Sequence, residues 1–134
     1  MSTKQLIAAA DGSTLRGGNC HGVRAGDFIY LSAVRGTLPN SRDVPQDTKE
    51  QARQLFENLK ETLAWANATM ADVVKMAVYM IDLEGDRPIF NGAWKDAFGD
   101  EPPARFAVQV ELIGNPGDGS KFLADVVAYA PAKA

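Results

Sequence analysis

The sequence predicts a single mixed helix-and-sheet domain. Its 134 residues suit one domain and are enough to bury a substantial hydrophobic core. Two stretches carry apolar residues at helical spacing, and six shorter runs are β-prone or alternate between apolar and polar residues. Because these elements follow in the order β, β, β, α, β, α, β, β, with no internal repeat, we expect one unit over residues 1–134.

Three strands are predicted before the first helix. Residues 5–8 form a short first strand, which ends before the turn-forming residues Asp11, Gly12 and Ser13. A glycine-rich loop over 17–23 runs into the second strand. A tight turn at 24–27 joins it to a strongly β-prone run at 28–34, so these two segments form a hairpin. The loop lacks the lysine and the following helix of a phosphate-binding loop, so no nucleotide site is expected there.

The first helix is predicted from Asp47 to about residue 66 or 67. Asp47 is a favourable N-cap, and Glu50 follows it three residues later. Apolar residues then recur at helical spacing and form a stripe for the core, namely Ala52, Leu55, Phe56, Leu59, Leu63 and Ala66. Thr69 is placed to cap one further turn that ends at Asp72.

A strand and a second helix follow. The run 73–81 is mostly apolar and partly β-branched, which favours a central strand covered on both faces. Residues 82–86 have the composition of a turn, and Asp86 is the predicted N-cap of a helix that has Pro88 in its first turn. The apolar stripe of this helix contains Ile89, Phe90, Ala93, Trp94, Ala97 and Phe98. The helix is expected to end over residues 99–102.

Two alternating runs complete the chain, the first of them entered from two prolines. It places Phe106, Val108, Val110 and Leu112 on one side and Arg105, Ala107, Gln109 and Glu111 on the other, as in a half-buried strand. The last strand, over 121–130, places Phe122, Ala124, Val126 and Ala128 on one side and Leu123, Asp125, Val127 and Tyr129 on the other.

Composition and charge argue against several classes of function. The net charge is −3 and no basic run exists, so the electrostatic footprint of a nucleic-acid-binding protein is missing. The single cysteine, Cys20, allows no internal disulfide, and with His21 as the single histidine no metal site can be assembled. No apolar stretch suits a signal peptide or a membrane span. We therefore expect a cytoplasmic protein that uses no metal or other cofactor and binds neither nucleic acid nor membrane.

Arg105 and Asp125 are the side chains with the clearest chemical potential. Arg105 lies at the mouth of its strand, where its permanently charged, planar guanidinium matches a carboxylate, although a surface arginine at a strand end is the alternative. Asp125 lies within an apolar strand, where a carboxylate is costly unless it is paired, hydrogen-bonded or protonated. It either faces water on an edge strand, pairs with Arg105, or orients a water beside a substrate that Arg105 anchors.

Five segments of the chain, in this order and spacing, resemble the Rid family of reactive-intermediate deaminases, also called the YjgF family. They are GDFIYLSA over 26–33, QARQLFENLK over 51–60, DVVK over 72–75, Asp82-Leu83 with Phe90-Asn91, and Pro103-Ala104-Arg105. The resemblance extends from about residue 18 to residue 131.

The resemblance implies a chorismate-mutase-like α+β fold, in which a mostly antiparallel mixed sheet is packed by two helices. It implies that three copies close into a trimeric barrel with sites between subunits. It also implies hydrolysis of enamine and imine carboxylates, such as 2-aminoacrylate and 2-imino acids, to keto acids and ammonia. In this resemblance Arg105 matches the arginine that holds the substrate carboxylate, and Asp125 falls where many members carry a water-positioning glutamate. Ser32 and Asn91 fall on a serine and an asparagine near the site.

The sequence departs from this family pattern at four positions near the implied site. Asn19 stands where the deaminase subgroup has a tyrosine, and Ala33 replaces a glycine whose backbone lies against the substrate. Ala107 takes the place of a common cysteine, and Asp125 is one methylene shorter than glutamate. The leading hypothesis is a deaminase of small enamine or imine carboxylates. The alternatives are a deaminase of a larger dienamine acid from aromatic-ring breakdown, and a non-catalytic trimer that binds small acids or partner proteins.

Overall fold

The computed structural model describes residues 3–15 and 18–132, and in them two helices lie against a six-stranded sheet. The strands are β1 (Lys4–Leu6), β2 (Gly22–Ala25), β3 (Phe28–Leu31), β4 (Val73–Met80), β5 (Ala104–Gln109) and β6 (Phe122–Tyr129). The helices are α1 (Thr48–Trp65) and α2 (Leu83–Phe98), and a 3₁₀ turn spans Met70–Asp72. This α+β arrangement and the order of its elements confirm the sequence prediction.

The sheet is mixed and mostly antiparallel, with the strand order β1-β2-β3-β6-β4-β5. β4 and β5 form the one parallel pair, and α2 is the crossover helix between them. β5 therefore lies at one edge of the sheet, whereas β6 lies inside it, between β3 and β4.

The predicted hairpin forms between β2 and β3, with a shorter turn than the sequence indicated. Ala25 pairs directly with Phe28, so the turn consists of Gly26 and Asp27 alone. Gly26 has a φ of 63°, a left-handed conformation that glycine adopts without a steric penalty and that two-residue hairpin turns require.

Helix α1 begins where the sequence predicted, because Asp47 caps it. The Asp47 carboxylate accepts a hydrogen bond of 3.1 Å from the amide of Glu50. Leu55, Leu59 and Leu63 of the predicted stripe are fully buried against the sheet. Burial of each such side chain stabilises the fold by roughly 1.5–3 kcal/mol, so this stripe fixes the helix to the sheet.

Helix α2 begins one turn earlier than predicted, since Asp82 and not Asp86 is its N-cap. The Asp82 carboxylate accepts a hydrogen bond of 3.0 Å from the amide of Gly85, and the amide of Leu83 donates to the side-chain oxygen of Gln109. A Cβ at position 85 would collide with the Asp82 carboxylate. Gly85 is therefore part of the cap, although residues 82–86 have the composition of a turn.

The helices cover one face of the sheet and leave the other face open. We call the uncovered side the open face. Its exposed apolar side chains are Leu6, Phe28, Tyr30, Phe106, Val108 and Tyr129. They come from both edges and from the middle of the sheet, so apolar side chains are spread across the open face.

One prediction about strand faces is wrong for the chain on its own. β4 is not covered on both faces, because Lys75 is exposed on the open face while Met76 and Val78 are fully buried under the helices. In β5 the apolar side of the alternation is the exposed one, with Phe106 45% and Val108 38% exposed. The side that carries Arg105 and Ala107 faces the helices instead.

A charged hydrogen-bond cluster ties the loop before β6 to the segment after β3. The Asp118 carboxylate accepts hydrogen bonds from the amides of Ser120 and Asn115 and from the Arg35 guanidinium, over 2.8 to 3.0 Å. Partial burial raises the pKa of Asp118, but these hydrogen bonds and the Arg35 charge outweigh burial and bring the pKa below its ordinary value. The ionised carboxylate therefore contributes to stability.

We expect Asp118→Asn to lower the free energy of unfolding by about 1–2 kcal/mol at pH 7. Because the pKa is lower in the folded state, this contribution is present above the ordinary pKa of about 4 and is lost as the pH falls through the folded value. Urea unfolding at pH 7 and pH 3 should thus show a difference that shrinks in acid. The exposed Asp100→Asn is the control and should change neither curve. A difference that persists at pH 3 would contradict this account.

Candidate functional site

Arg105 lies near the start of the edge strand β5, on the face that α2 covers. Its guanidinium carbon is 4.8 Å from the ring centroid of Trp94 and 5.4 Å from that of Phe90. Within the ranges 3–15 and 18–132, no carboxylate oxygen lies within 4.0 Å of the Arg105 nitrogens, and the side chain donates no hydrogen bond. The guanidinium thus keeps its N–H groups for an external acceptor.

The electrostatic setting of Arg105 favours an anion. Burial lowers the pKa of Arg105, and the charge of Arg87 on α2 adds to this lowering. An arginine side chain nevertheless stays protonated in a protein. A half-buried positive charge close to a second positive charge is stabilised when a carboxylate binds, since the carboxylate supplies the missing opposite charge.

Asp125 lies on the opposite side of the sheet from Arg105. In the pairing of strands, Ala77 of β4 is the partner of both Asp125 and Phe106, whereas the adjacent Met76 is the partner of Arg105. Neighbouring residues of a strand point to opposite faces, so the exposed Asp125 belongs to the open face. An ion pair between the two side chains within one chain, one alternative from the sequence, is therefore wrong. The edge-strand alternative is also wrong, because β6 is an inner strand.

Ser32 and Ala33 lie just after β3, at a cleft of about 1150 Å³ between α1 and two loops. The Ser32 hydroxyl donates a hydrogen bond of 2.7 Å to the carbonyl of Cys20, and its amide donates to the carbonyl of His21. These bonds hold the segment before Ala33 against the loop that precedes β2. Ala33 is exposed at the cleft. Asn19 is exposed in the loop before β2 and is not among the residues that line the cleft.

An aromatic pair forms part of the wall of this cleft. His21 contacts Trp65 of α1 edge-on, with 4.8 Å between the ring centroids. The Nε2 atom of His21 is 3.0 Å from the carbonyl oxygen of Ser13 and is placed to donate to it. No sequence pattern indicates this pair, because the two residues are 44 positions apart and only the fold brings them together.

Within one chain, the candidate residues form two separate groups. Arg105 and Asn91, which is exposed on α2, belong to the β5 end of the sheet, whereas Ser32 and Ala33 belong to the β3 end. β3 and β5 are three strand spacings apart, which is about 14 Å across the sheet. A small substrate cannot contact both groups of one chain at the same time.

Trp94 and Phe90 are contact residues of Arg105 that sequence reasoning assigned to the core alone. Their spacing of four residues on α2 places both rings on one helix face. The sequence order offered one signal for this contact, since α2 leads directly into β5. The crossover helix of a parallel strand pair packs over the strand that it precedes.

The described ranges contain neither a metal-binding cluster nor a membrane-spanning helix. No group of three or more His, Cys, Asp or Glu side chains in them is arranged to hold a metal ion. No helix in them combines the length and the apolar character that crossing a bilayer requires.

Comparisons with known proteins agree with this fold. The sequence profile of the family described as Endoribonuclease L-PSP matches residues 15–128. A RutC family protein of Pyrococcus horikoshii is 31% identical over 111 residues, which cover 82% of this chain and 87% of the relative. TdcF of Escherichia coli, whose name assigns it provisionally as a reactive intermediate deaminase, is 29% identical over 113 residues, with coverages of 82% and 87%.

A solved structure supports the same assignment. The crystal structure of the YjgF gene product of Escherichia coli superposes with a TM-score of 0.82 at 29% identity, covering 93% of this chain and 98% of that one. The resemblance predicted from five sequence segments is thus confirmed over most of the chain. The chain belongs to the family of the Endoribonuclease L-PSP profile, which is the Rid family of YjgF and RutC proteins.

Proposed function

We propose that this protein hydrolyses small enamine or imine carboxylates, of the 2-aminoacrylate or 2-imino acid type, to keto acids and ammonia. The observation that carries the proposal is the half-buried guanidinium of Arg105, which has no carboxylate partner in the described ranges. A planar fork of N–H donors without an internal acceptor suits a substrate carboxylate. The provisional name of TdcF as a reactive intermediate deaminase supports the reaction class.

The active unit in this proposal is a homotrimer with sites between subunits. Two features of the chain support it: exposed apolar side chains are spread across the open face, and the candidate residues of one chain lie in separate groups. Because β5 is an edge strand, a second copy packed on the open face can bring its Asp125 or Ser32 beside Arg105 of the first. The site is thus incomplete without the neighbouring subunit.

In the proposed reaction, Arg105 binds the carboxylate and Asp125 of the neighbouring subunit orients a water toward the imine carbon. The water oxygen bonds to that carbon while the imine nitrogen gains a proton, giving a carbinolamine. The hydroxyl proton then moves to the amino nitrogen, the C–N bond breaks, ammonia leaves, and the oxygen becomes the carbonyl of the keto acid. An enamine substrate first becomes the imine, by gaining a proton at carbon and losing one from nitrogen. These intermediates already hydrolyse in water, so holding the reactants in place can supply much of the acceleration.

Other functions make different demands on the surface. The net charge of −3 and the absence of a basic run give no support to RNA cleavage, the activity in the family description. A dienamine acid from aromatic-ring breakdown would use the same chemistry on a larger substrate. A non-catalytic trimer would bind keto acids through Arg105 without turnover.

The test is release of ammonia and 2-oxobutyrate from freshly generated 2-iminobutyrate, compared with spontaneous hydrolysis. We expect acceleration by the wild type. Asp125→Asn keeps the size of the side chain but removes its charge, so kcat should fall by about ten- to a hundredfold while affinity for 2-oxobutyrate changes little. Binding of 2-oxobutyrate without acceleration would favour the non-catalytic trimer, and acceleration with a dienamine acid alone would favour the larger substrate. Wild-type kcat in Asp125→Asn would remove Asp125 from the mechanism.

A further inference from the structure

An aromatic platform supports the guanidinium of Arg105. Trp94 and Phe90 lie at 4.8 Å and 5.4 Å from its central carbon, and both come from α2. The platform is itself anchored, because Phe90 is fully buried and contacts Phe56 of α1 and Phe122 of β6. Its position is therefore set by three elements of the fold.

The platform stabilises the cation in a way that an acidic neighbour could not. A carboxylate beside Arg105 would neutralise the charge but would also occupy the N–H groups. A ring face attracts the cation through its quadrupole and accepts none of its in-plane hydrogen bonds. In the described ranges, Arg105 has ring partners and no carboxylate partner, which is the combination that keeps the guanidinium both ordered and available.

We infer that Trp94 is a positioning residue, which holds the Arg105 guanidinium in the orientation that binds the substrate carboxylate. The inference rests on the proposed function and adds to it a determinant of carboxylate affinity. Trp94 is the closer of the two rings and is only half-buried, so its removal affects Arg105 more directly than it affects the core. Phe90 lies beneath and belongs to the core.

A matched control is available within the same aromatic cluster. Phe98 contacts Trp94, with 4.7 Å between ring centroids, and also contacts Phe56, yet it is not among the rings that lie over Arg105. Phe98→Leu therefore removes an aromatic ring from the cluster without removing a ring from the guanidinium. Trp94→Phe keeps an aromatic ring against the Arg105 guanidinium, so it is the conservative variant that should restore the affinity lost in Trp94→Leu.

The experiment measures the affinity for 2-oxobutyrate by calorimetry, kcat and KM for 2-iminobutyrate, and the Tm of each variant. We expect Trp94→Leu to raise KM and the 2-oxobutyrate Kd about tenfold with a smaller change in kcat, because an untethered arginine must be ordered on binding. Trp94→Phe should recover most of the affinity. Phe98→Leu should lower the Tm while the Kd stays near the wild-type value.

A double-variant cycle separates positioning from general loss of structure. If Trp94 acts through Arg105, then Trp94→Leu should have little further effect on the Kd once Arg105→Ala is present. An unchanged Kd in Trp94→Leu, or an equal rise in Phe98→Leu, would overturn the inference. If the Kd values follow the expected pattern but no variant or wild type shows turnover, the inference about Trp94 stands and only the deaminase activity is rejected. If the wild type does not bind 2-oxobutyrate, both the inference and the proposed function are rejected.

Discussion

Arg105→Ala is expected to lower kcat/KM for 2-iminobutyrate by about ten- to a few hundredfold, with Arg105→Lys in between. A bidentate, charge-assisted pair with a carboxylate is worth roughly 1.5–3 kcal/mol, and alanine removes both the charge and the fork. Lysine keeps the charge but offers a point donor in place of the planar fork. The order of kcat/KM should therefore be wild type, Arg105→Lys, Arg105→Ala, and the affinity for 2-oxobutyrate should follow the same order.

Arg24 is a matched control for the loss of an arginine. Its guanidinium donates to the carbonyl oxygens of Ala130 and Ala66 at 2.6 Å and 2.8 Å, so its role is structural. Arg24→Ala should lower the Tm and leave the affinity for 2-oxobutyrate unchanged, whereas Arg105→Ala should do the reverse. A folded Arg105→Ala protein with wild-type turnover and binding would show that Arg105 does not anchor a carboxylate.

The local elements of this fold could be predicted from the sequence because each depends on neighbours along the chain. The cap at Asp47 and the stripe of α1 are examples, since both depend on spacing alone. The start of α2 was missed because residues 82–86 have the composition of a turn, whereas in the observed cap Gly85 leaves room for the Asp82 carboxylate. Residue composition alone does not predict the contact between Gly85 and the Asp82 carboxylate.

Which side of a strand is buried is a property of the fold and not of the strand. The alternation in β5 correctly separates Phe106 and Val108 from Arg105, but it does not say which side the helices cover. Register decides this, because Arg105 is the partner of Met76, which lies beneath the helices. A prediction based on hydrophobicity alone therefore buries the wrong side. The apolar side of β5 is exposed and can contact only a surface from outside this chain.

The same limit applies to the candidate site. The sequence selects Arg105, Asp125 and Ser32 as chemically suitable side chains, and the structure gives each a definite position. Their separation in one chain could not be seen from spacing. Arg105 and Asp125 lie on opposite faces because of a one-residue offset in their register with β4, and Ser32 is distant because of the strand order. Whether they act together depends on how copies of the chain assemble.

Tyr30→Asp is expected to abolish trimer formation and, with it, deaminase activity. Tyr30 is 49% exposed on the open face of the chain, so a carboxylate there has little effect on the folded monomer. In the proposed trimer the same position is covered, and burying an unpaired charge costs several kcal/mol at each of three interfaces. Light scattering should give three times the chain mass of 14.4 kDa for the wild type and a single chain mass for the variant.

Ile89→Asp provides the matched control, because Ile89 is an exposed apolar residue that belongs to α2, away from the open face. It should remain trimeric and active. If Tyr30→Asp is a folded monomer without activity, then the open face forms the interface and the site needs a second subunit. A monomeric wild type, or a Tyr30→Asp variant that is trimeric with wild-type turnover, would contradict the proposed assembly. A monomeric Tyr30→Asp variant that retains full turnover would mean that one chain holds the whole site. That outcome would also contradict the proposed assembly, because Arg105 and Ser32 of one chain lie too far apart to contact the same substrate.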